Sequence, residues 1–116
     1  MIALFKRLLG LDAPGIVQLS PQQVQARIKS GALLLDVRTP LERQTLSIPG
    51  SRSLALDELS NKWETLPKDQ EIVCQCASGR RSAQASAFLA SKGFTVFNLS
   101  GGIAAWSAAG LPVKRR

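Results

Sequence analysis

Short apolar runs alternate with capped, amphipathic stretches from residue 16 almost to the end of the chain, and this alternation restricts the folds open to it more than any other feature. Apolar runs bounded by turn formers read as strands, and apolar residues three and four apart read as helices. Residues 16–19 make a first strand. Ser20, Pro21 and Gln23 then supply an N-cap, a proline at the first helical position and the far end of a capping box. Leu19 staples to Val24, Ile28 continues the apolar face, and Gly31 offers a left-handed stop. Residues 33–37 (Leu-Leu-Leu-Asp-Val) read as a strand buried on both faces, the pattern of a central parallel strand.

Residues 39–53 contain Pro40, Pro49 and Gly50 without a sustained period, which predicts a connection with a single helical turn over 41–44. A short strand at 53–55 follows. Asp57 then caps a helix whose Leu56, Leu59, Trp63 and Leu66 keep three- and four-residue spacing until Pro67. A strand at 71–75, a helix over 82–92 closed by Gly93, a strand at 95–99, and a short helix after Gly101-Gly102 carrying Ile103 and Trp106 complete the pattern. Five strands interleaved with helices imply an α/β fold: a mostly parallel five-stranded sheet with helices on both faces.

The 116 residues suffice for one domain with its own core. A composition of 45% hydrophobic and 20% charged residues excludes a disordered or collagen-like chain. Histidine and tyrosine are absent, which removes His-based metal sites and Cys–His or Ser–His dyads from the available chemistry. A net charge of +7 favours anionic partners, but bases are not interleaved with aromatics, so nucleic-acid binding is not expected. Residues 1–15 read as an amphipathic N-terminal extension with Lys6 and Arg7 in the middle of its apolar residues. That arrangement fits neither a signal peptide nor a membrane span, and packing or fraying is favoured over membrane contact. Residues 16–113 form the domain, and 114–116 a basic tail read as a solvated end.

The two cysteines, Cys74 and Cys76, would lie about 6.6 Å apart in a strand, too far for an unstrained bridge. So few cysteines point to a reducing, cytoplasmic setting. In open parallel sheets, sites form at the carboxyl ends of strands. The strand at 71–75 runs there into Cys76-Ala77-Ser78-Gly79-Arg80-Arg81-Ser82. A thiol at such a turn meets converging backbone N–H groups and a helix dipole. One guanidinium at about 5 Å adds roughly 3 kcal/mol at an effective dielectric of about 20, so Arg80 and Arg81 are expected to favour a thiolate. Ala77, Ser78 and Gly79 are small enough to leave the sulfur uncovered. Ser78 either bonds the sulfur or merely turns the loop. Cys74, inside the strand, reads as a small core residue. Asp36 is expected to accept hydrogen bonds from neighbouring loops, Arg38 and Glu42 to pair with each other across a turn, and Trp63 and Trp106 to be core residues.

The Cys-x-x-Gly-x-Arg-Ser run at 76–82, together with Leu35-Asp36-Val37-Arg38, Ile48-Pro49-Gly50 and Gly101-Gly102-Ile103-Ala104-Ala105-Trp106, resembles the single-domain rhodaneses, a sulfurtransferase family. The resemblance covers residues 16–113, with Ser47 standing where the family usually has a histidine. It implies a rhodanese-like fold and a double displacement. Cys76 would take the outer sulfur of a small anionic donor such as thiosulfate, or of a protein persulfide, and pass it to a thiol or cyanide. Residues 77–82 would bind the substrate and Asp36 and Arg38 would support the site, with no metal or organic cofactor. Two other readings compete with this one. One is a non-catalytic docking or sulfur-carrier module. The other is a related phosphatase or arsenate reductase, whose loop has one more residue between cysteine and arginine than the four found here.

Overall fold

The computed structural model describes residues 15–116, and the expected N-terminal extension therefore lies almost wholly outside the described residues. In chain order the elements are β1 (Val17–Leu19), α1 (Pro21–Lys29), β2 (Leu33–Asp36), α2 (Pro40–Thr45), β3 (Leu46–Ser47), β4 (Arg52–Ser53), α3 (Leu59–Lys62), β5 (Ile72–Gln75), α4 (Arg80–Ser91), β6 (Val96–Leu99), α5 (Gly102–Ala108) and β7 (Lys114–Arg115). Five strands form one parallel sheet in the order β1-β6-β5-β2-β4.

Strand periodicity divides the core in two. Leu35, Ile72, Cys74 and Val96 face Leu59, Leu66, Ala85 and Leu89, while Leu19, Leu34, Val73 and Leu99 face Val24, Ile103 and Trp106. Helices therefore cover both faces, and the triple leucine is central because each face takes part of it. The capping box at Ser20 forms as expected: the Gln23 amide donates to Ser20 Oγ and the Ser20 amide to Gln23 Oε1.

Three helical segments differ from expectation. The turn at 41–44 is a helix of six residues, Pro40–Thr45, because Thr39 and Glu42 form a second capping box across Pro40. The single helix expected after Asp57 is broken: 3₁₀ turns at Leu56–Glu58 and Trp63–Thr65 flank α3, and no side chain caps the first of them. Three-residue turns keep Leu56 in line with Leu59 and Trp63 in line with Leu66, so all four reach the core from a short span. Helix α4 begins at Arg80 rather than Ser82. Gly79, at φ 103°, takes the N-cap and releases Ser82 for another partner.

The basic tail is not merely a solvated end. Lys114–Arg115 pairs antiparallel with Leu46–Ser47, after Trp106 Nε1 donates to the Pro112 carbonyl at 2.8 Å and turns the chain back.

From β2 the chain crosses to β4 on one side of the sheet, and from β5 to β6 on the other. The two exits diverge at neighbouring strands, which opens a crevice at their carboxyl ends. Asp36 and Cys76 both stand there.

Candidate active site

Cys76 follows β5 directly and is 1% exposed, so its sulfur is covered rather than open as expected from the small neighbours. The covering groups are donors. The Gly79 amide lies 3.1 Å from Sγ, and the Ser82 amide and hydroxyl each lie 3.3 Å from it. Burial raises the Cys76 pKa, but the Ser82 hydroxyl and the amides of Ser82, Gly79 and Ser78 outweigh it and hold the thiol below its ordinary value. The contribution of Ser78 to this balance is its backbone N–H.

The Ser78 amide points inward because the carbonyl of its own peptide, that of Ala77, is held outward together with the Cys76 carbonyl. Ile103 N–H donates to the Cys76 carbonyl at 2.8 Å and Ala104 N–H to the Ala77 carbonyl at 3.2 Å, both from the first turn of α5. That approach requires glycine at 102, where a Cβ would meet the Ala77 carbonyl oxygen at 2.6 Å. On the other flank, Asn98 Nδ2 donates to the Gly79 carbonyl at 3.1 Å and to Gln18 Oε1 at 2.9 Å, tying down the residue whose N–H meets the sulfur. Arg80 opens α4 and, with Gln18, Ser78, Asn98 and Ser100, lines a pocket of about 170 Å³ beside the loop.

Arg81 does not aim its charge at the sulfur alone. Its two terminal nitrogens meet the two oxygens of Glu42, each at 2.8 Å. The pairing draws the Glu42 carboxyl down to about 2, mainly through the Arg81 hydrogen bonds, and raises Arg81 in turn. Arg81 still feels the charges of Cys76 and Asp36. Of the amides, helix dipole and arginines expected to favour the thiolate, the hydrogen-bond donors at 3.1 to 3.3 Å are the groups that lower the thiol here.

The expected Arg38–Glu42 pair is not present either. Arg38, 3% exposed, donates Nε and Nη2 to the fully buried Asp36 carboxylate at 3.0 and 2.8 Å, and Nη2 also to the Leu46 carbonyl at 2.7 Å. Arg43 Nη1 joins at 2.9 Å to Asp36 Oδ2 and at 2.9 Å to Ser51 Oγ. Asp36 does accept bonds from a neighbouring segment, as expected, and thereby binds α2 to the end of β2. Sequence reasoning missed Arg43, the Glu42–Arg81 pair and the roles of Asn98 and Gly102. The Thr39-Pro40-x-Glu42 cap was the signal available for the first two, since it places both Glu42 and Arg43 on a helix. Among the described residues no cluster of acids and cysteines could hold a metal, and no helix is long and apolar enough to cross a membrane.

Fold and loop together define an α/β protein with a cysteine sulfur ringed by N–H donors at the switch point of a parallel sheet. Residues 20–109 match the Rhodanese-like domain, and the chain belongs to the rhodanese family. It is 43% identical over 82 residues to a sulfurtransferase of Allochromatium vinosum, covering 70% of this chain and 77% of that protein. It is 35% identical over 92 residues to the thiosulfate sulfurtransferase GlpE of Ectopseudomonas mendocina, covering 78% and 84%. Among solved structures, a rhodanese-related protein from Thermoplasma volcanium superposes with a TM-score of 0.80 at 35% identity, covering 84% of this chain and 97% of that one.

Proposed function

We propose that this protein is a sulfurtransferase that carries sulfane sulfur on Cys76. The observation that carries the reading is the convergence of the Gly79 and Ser82 amides and the Ser82 hydroxyl on Sγ, all between 3.1 and 3.3 Å. In the first half-reaction the Cys76 thiolate attacks the outer sulfur of a donor such as thiosulfate. A sulfur–sulfur bond forms to Cys76, the donor's own sulfur–sulfur bond breaks, and sulfite leaves with the electron pair. An acceptor, cyanide or a thiol, then attacks the terminal sulfur and returns the thiolate. Neither step needs a proton acceptor of the histidine type, which suits a chain without histidine.

Negative charge moves only about 2 Å along the new bond between the two states, so the same amides serve both. The guanidinium groups of Arg38, Arg43 and Arg81 match the carboxylates of Asp36 and Glu42 together with the Cys76 thiolate, so the linked groups carry no net negative charge to repel an anionic donor. Arg80 and Arg81, with the loop amides, are the groups proposed to hold it. The four residues between Cys76 and Arg81 suit one sulfur atom and not a tetrahedral phosphate, which disfavours the phosphatase reading. The setting proposed is a reducing, cytoplasmic one.

Intact-mass measurement after thiosulfate treatment tests the proposal. The wild-type chain should gain one sulfur, and cyanide should remove it as thiocyanate. Cys76→Ser should show neither event, and Cys74→Ser should keep both within about twofold, since Cys74 makes none of the bonds described. Sulfur carried on Cys74 instead would overturn the assignment.

A further inference from the structure

The three cations at the end of the chain have no part in the sulfur chemistry, yet β7 places them with care. Alternation along a strand sends Lys114 and Arg116 to one face and Arg115 to the other. Opposite Lys114 stands Ser47 of β3. On that side lies a pocket of about 320 Å³ whose lining includes Arg43, Gln44, Ser47, Ser53, Lys114 and Arg116. No aspartate or glutamate side chain lines it, and neither Lys114 nor Arg116 is paired with a carboxylate among the described residues. Arg43 is fixed in place by Asp36 and Ser51, so one wall of the pocket is already rigid.

We propose that this pocket between α2 and β7 is a docking site for a carboxylate-rich segment of a partner protein. Arg43, Lys114 and Arg116 can only donate, so an occupant that matches them brings acceptors. The cations stand on two elements and the volume exceeds that of a single tetrahedral anion, which favours several carboxylates along a chain. Compact phosphate sites are built from converging backbone amides, whereas the charge here comes from the cationic residues Arg43, Lys114 and Arg116. A concave pocket also admits a peptide segment and not the face of a bilayer. The net charge of +7 steers an acidic partner toward the molecule from a distance.

The position gives the docking a purpose. Helix α2 lines this pocket with Arg43 and Gln44 and, through Glu42, holds Arg81 of the Cys76 loop. A segment seated here lies across the helix that braces that loop. Docking itself is independent of the chemistry at Cys76, but exchange of sulfur with the docked protein rests on the function proposed above.

Fluorescence anisotropy with a labelled Glu-rich decapeptide tests the docking directly. Lys114→Glu and Arg116→Glu should each weaken binding roughly fivefold, the scale of one exposed ion pair, and the double variant more than either. Lys92→Glu changes the net charge equally at the C-terminal end of α4, beside Trp63 and Phe88 on the other face of the sheet, and should leave affinity unchanged. Unchanged circular dichroism and melting temperature in all variants establish that folding is not at issue. Equal weakening by all three substitutions, or no binding of the peptide to the wild-type chain, would overturn the proposal. Tighter binding of inorganic phosphate or of vesicles of anionic lipid, lost on the same substitutions, would overturn the choice of partner. Because binding is read without turnover, a failure of thiosulfate transfer leaves this measurement intact.

Discussion

Cys74 and Cys76 are two residues apart on the same face of the sheet, both essentially without solvent exposure, and their thiols are driven in opposite directions. Burial pushes Cys74 up to about 12, opposed only in part by the Ser86 hydroxyl and reinforced by the charge of Cys76. Cys76 lies below its ordinary value despite burial. The difference lies in where the chain stops being a strand. At Cys74 the neighbouring amides serve the β-ladder, with Leu35 and Asn98 on either side in register. One step beyond the ladder the amides are released, and a turn can aim them at a side chain. Removal from water does not decide whether a thiol ionises; the donors that replace the water do.

The comparison breaks most completely if the turn is forced open. Gly102→Ala places a methyl group against the Ala77 carbonyl, where 2.6 Å is available. Retreat of α5 should cost on the order of 3 kcal/mol of stability and slow alkylation of Cys76 at neutral pH more than tenfold, making it resemble Cys74. A thermal melt paired with iodoacetamide kinetics reads both effects. Wild-type kinetics in a folded variant would show that α5 does not hold the loop.

A smaller effect isolates one donor. Ser82→Ala keeps the backbone amide and removes the hydroxyl at 3.3 Å. The Cys76 thiol should move up toward its ordinary value, and alkylation should slow roughly tenfold at neutral pH, the scale of one hydrogen bond to a charged group. The pH profile of alkylation measures it. An unshifted profile would assign the whole effect to the amides.

The smallest effect is on stability, and the two cysteines contribute with opposite sign. Cys76 is lowered on folding, so its contribution is present above the unfolded thiol's value and is lost as pH falls through the folded one. Cys74 is raised, so its contribution is present below the ordinary value of 9 and is lost as pH climbs toward 12. Cys74→Ala should flatten the alkaline decline in unfolding free energy, and Cys76→Ala should flatten the rise that precedes it. Denaturant titrations from pH 6 to 10.5 compare the slopes.

The parts of this site that the sequence made legible are those in which the partners are near neighbours along the chain. The Cys76 loop is closed by Gly79 and Ser82, three and six residues on, and its small residues, its left-handed glycine and the following helix all stand in one run. The core strands were equally plain, because a leucine triplet buried on both faces has few other uses. The helix at 40–45 was not, since Pro40 was weighed as a breaker of structure when it occupies the first helical position, where its missing N–H costs nothing. Glu42 and Arg81 are 39 positions apart and meet only because β5 lies beside β2. The need for glycine at 102 is likewise a fact about another element's carbonyls.

The support that α5 gives to the loop sets an order of events during synthesis. Cys76 and the amides that face it leave the ribosome well before Asn98, Gly102, Ile103 and Ala104. A nascent chain ending within α4 holds the cysteine with the carbonyls of Cys76 and Ala77 unclaimed, so nothing turns the peptides outward. Full reactivity arrives with α5, when the fold that protects the thiolate is in place.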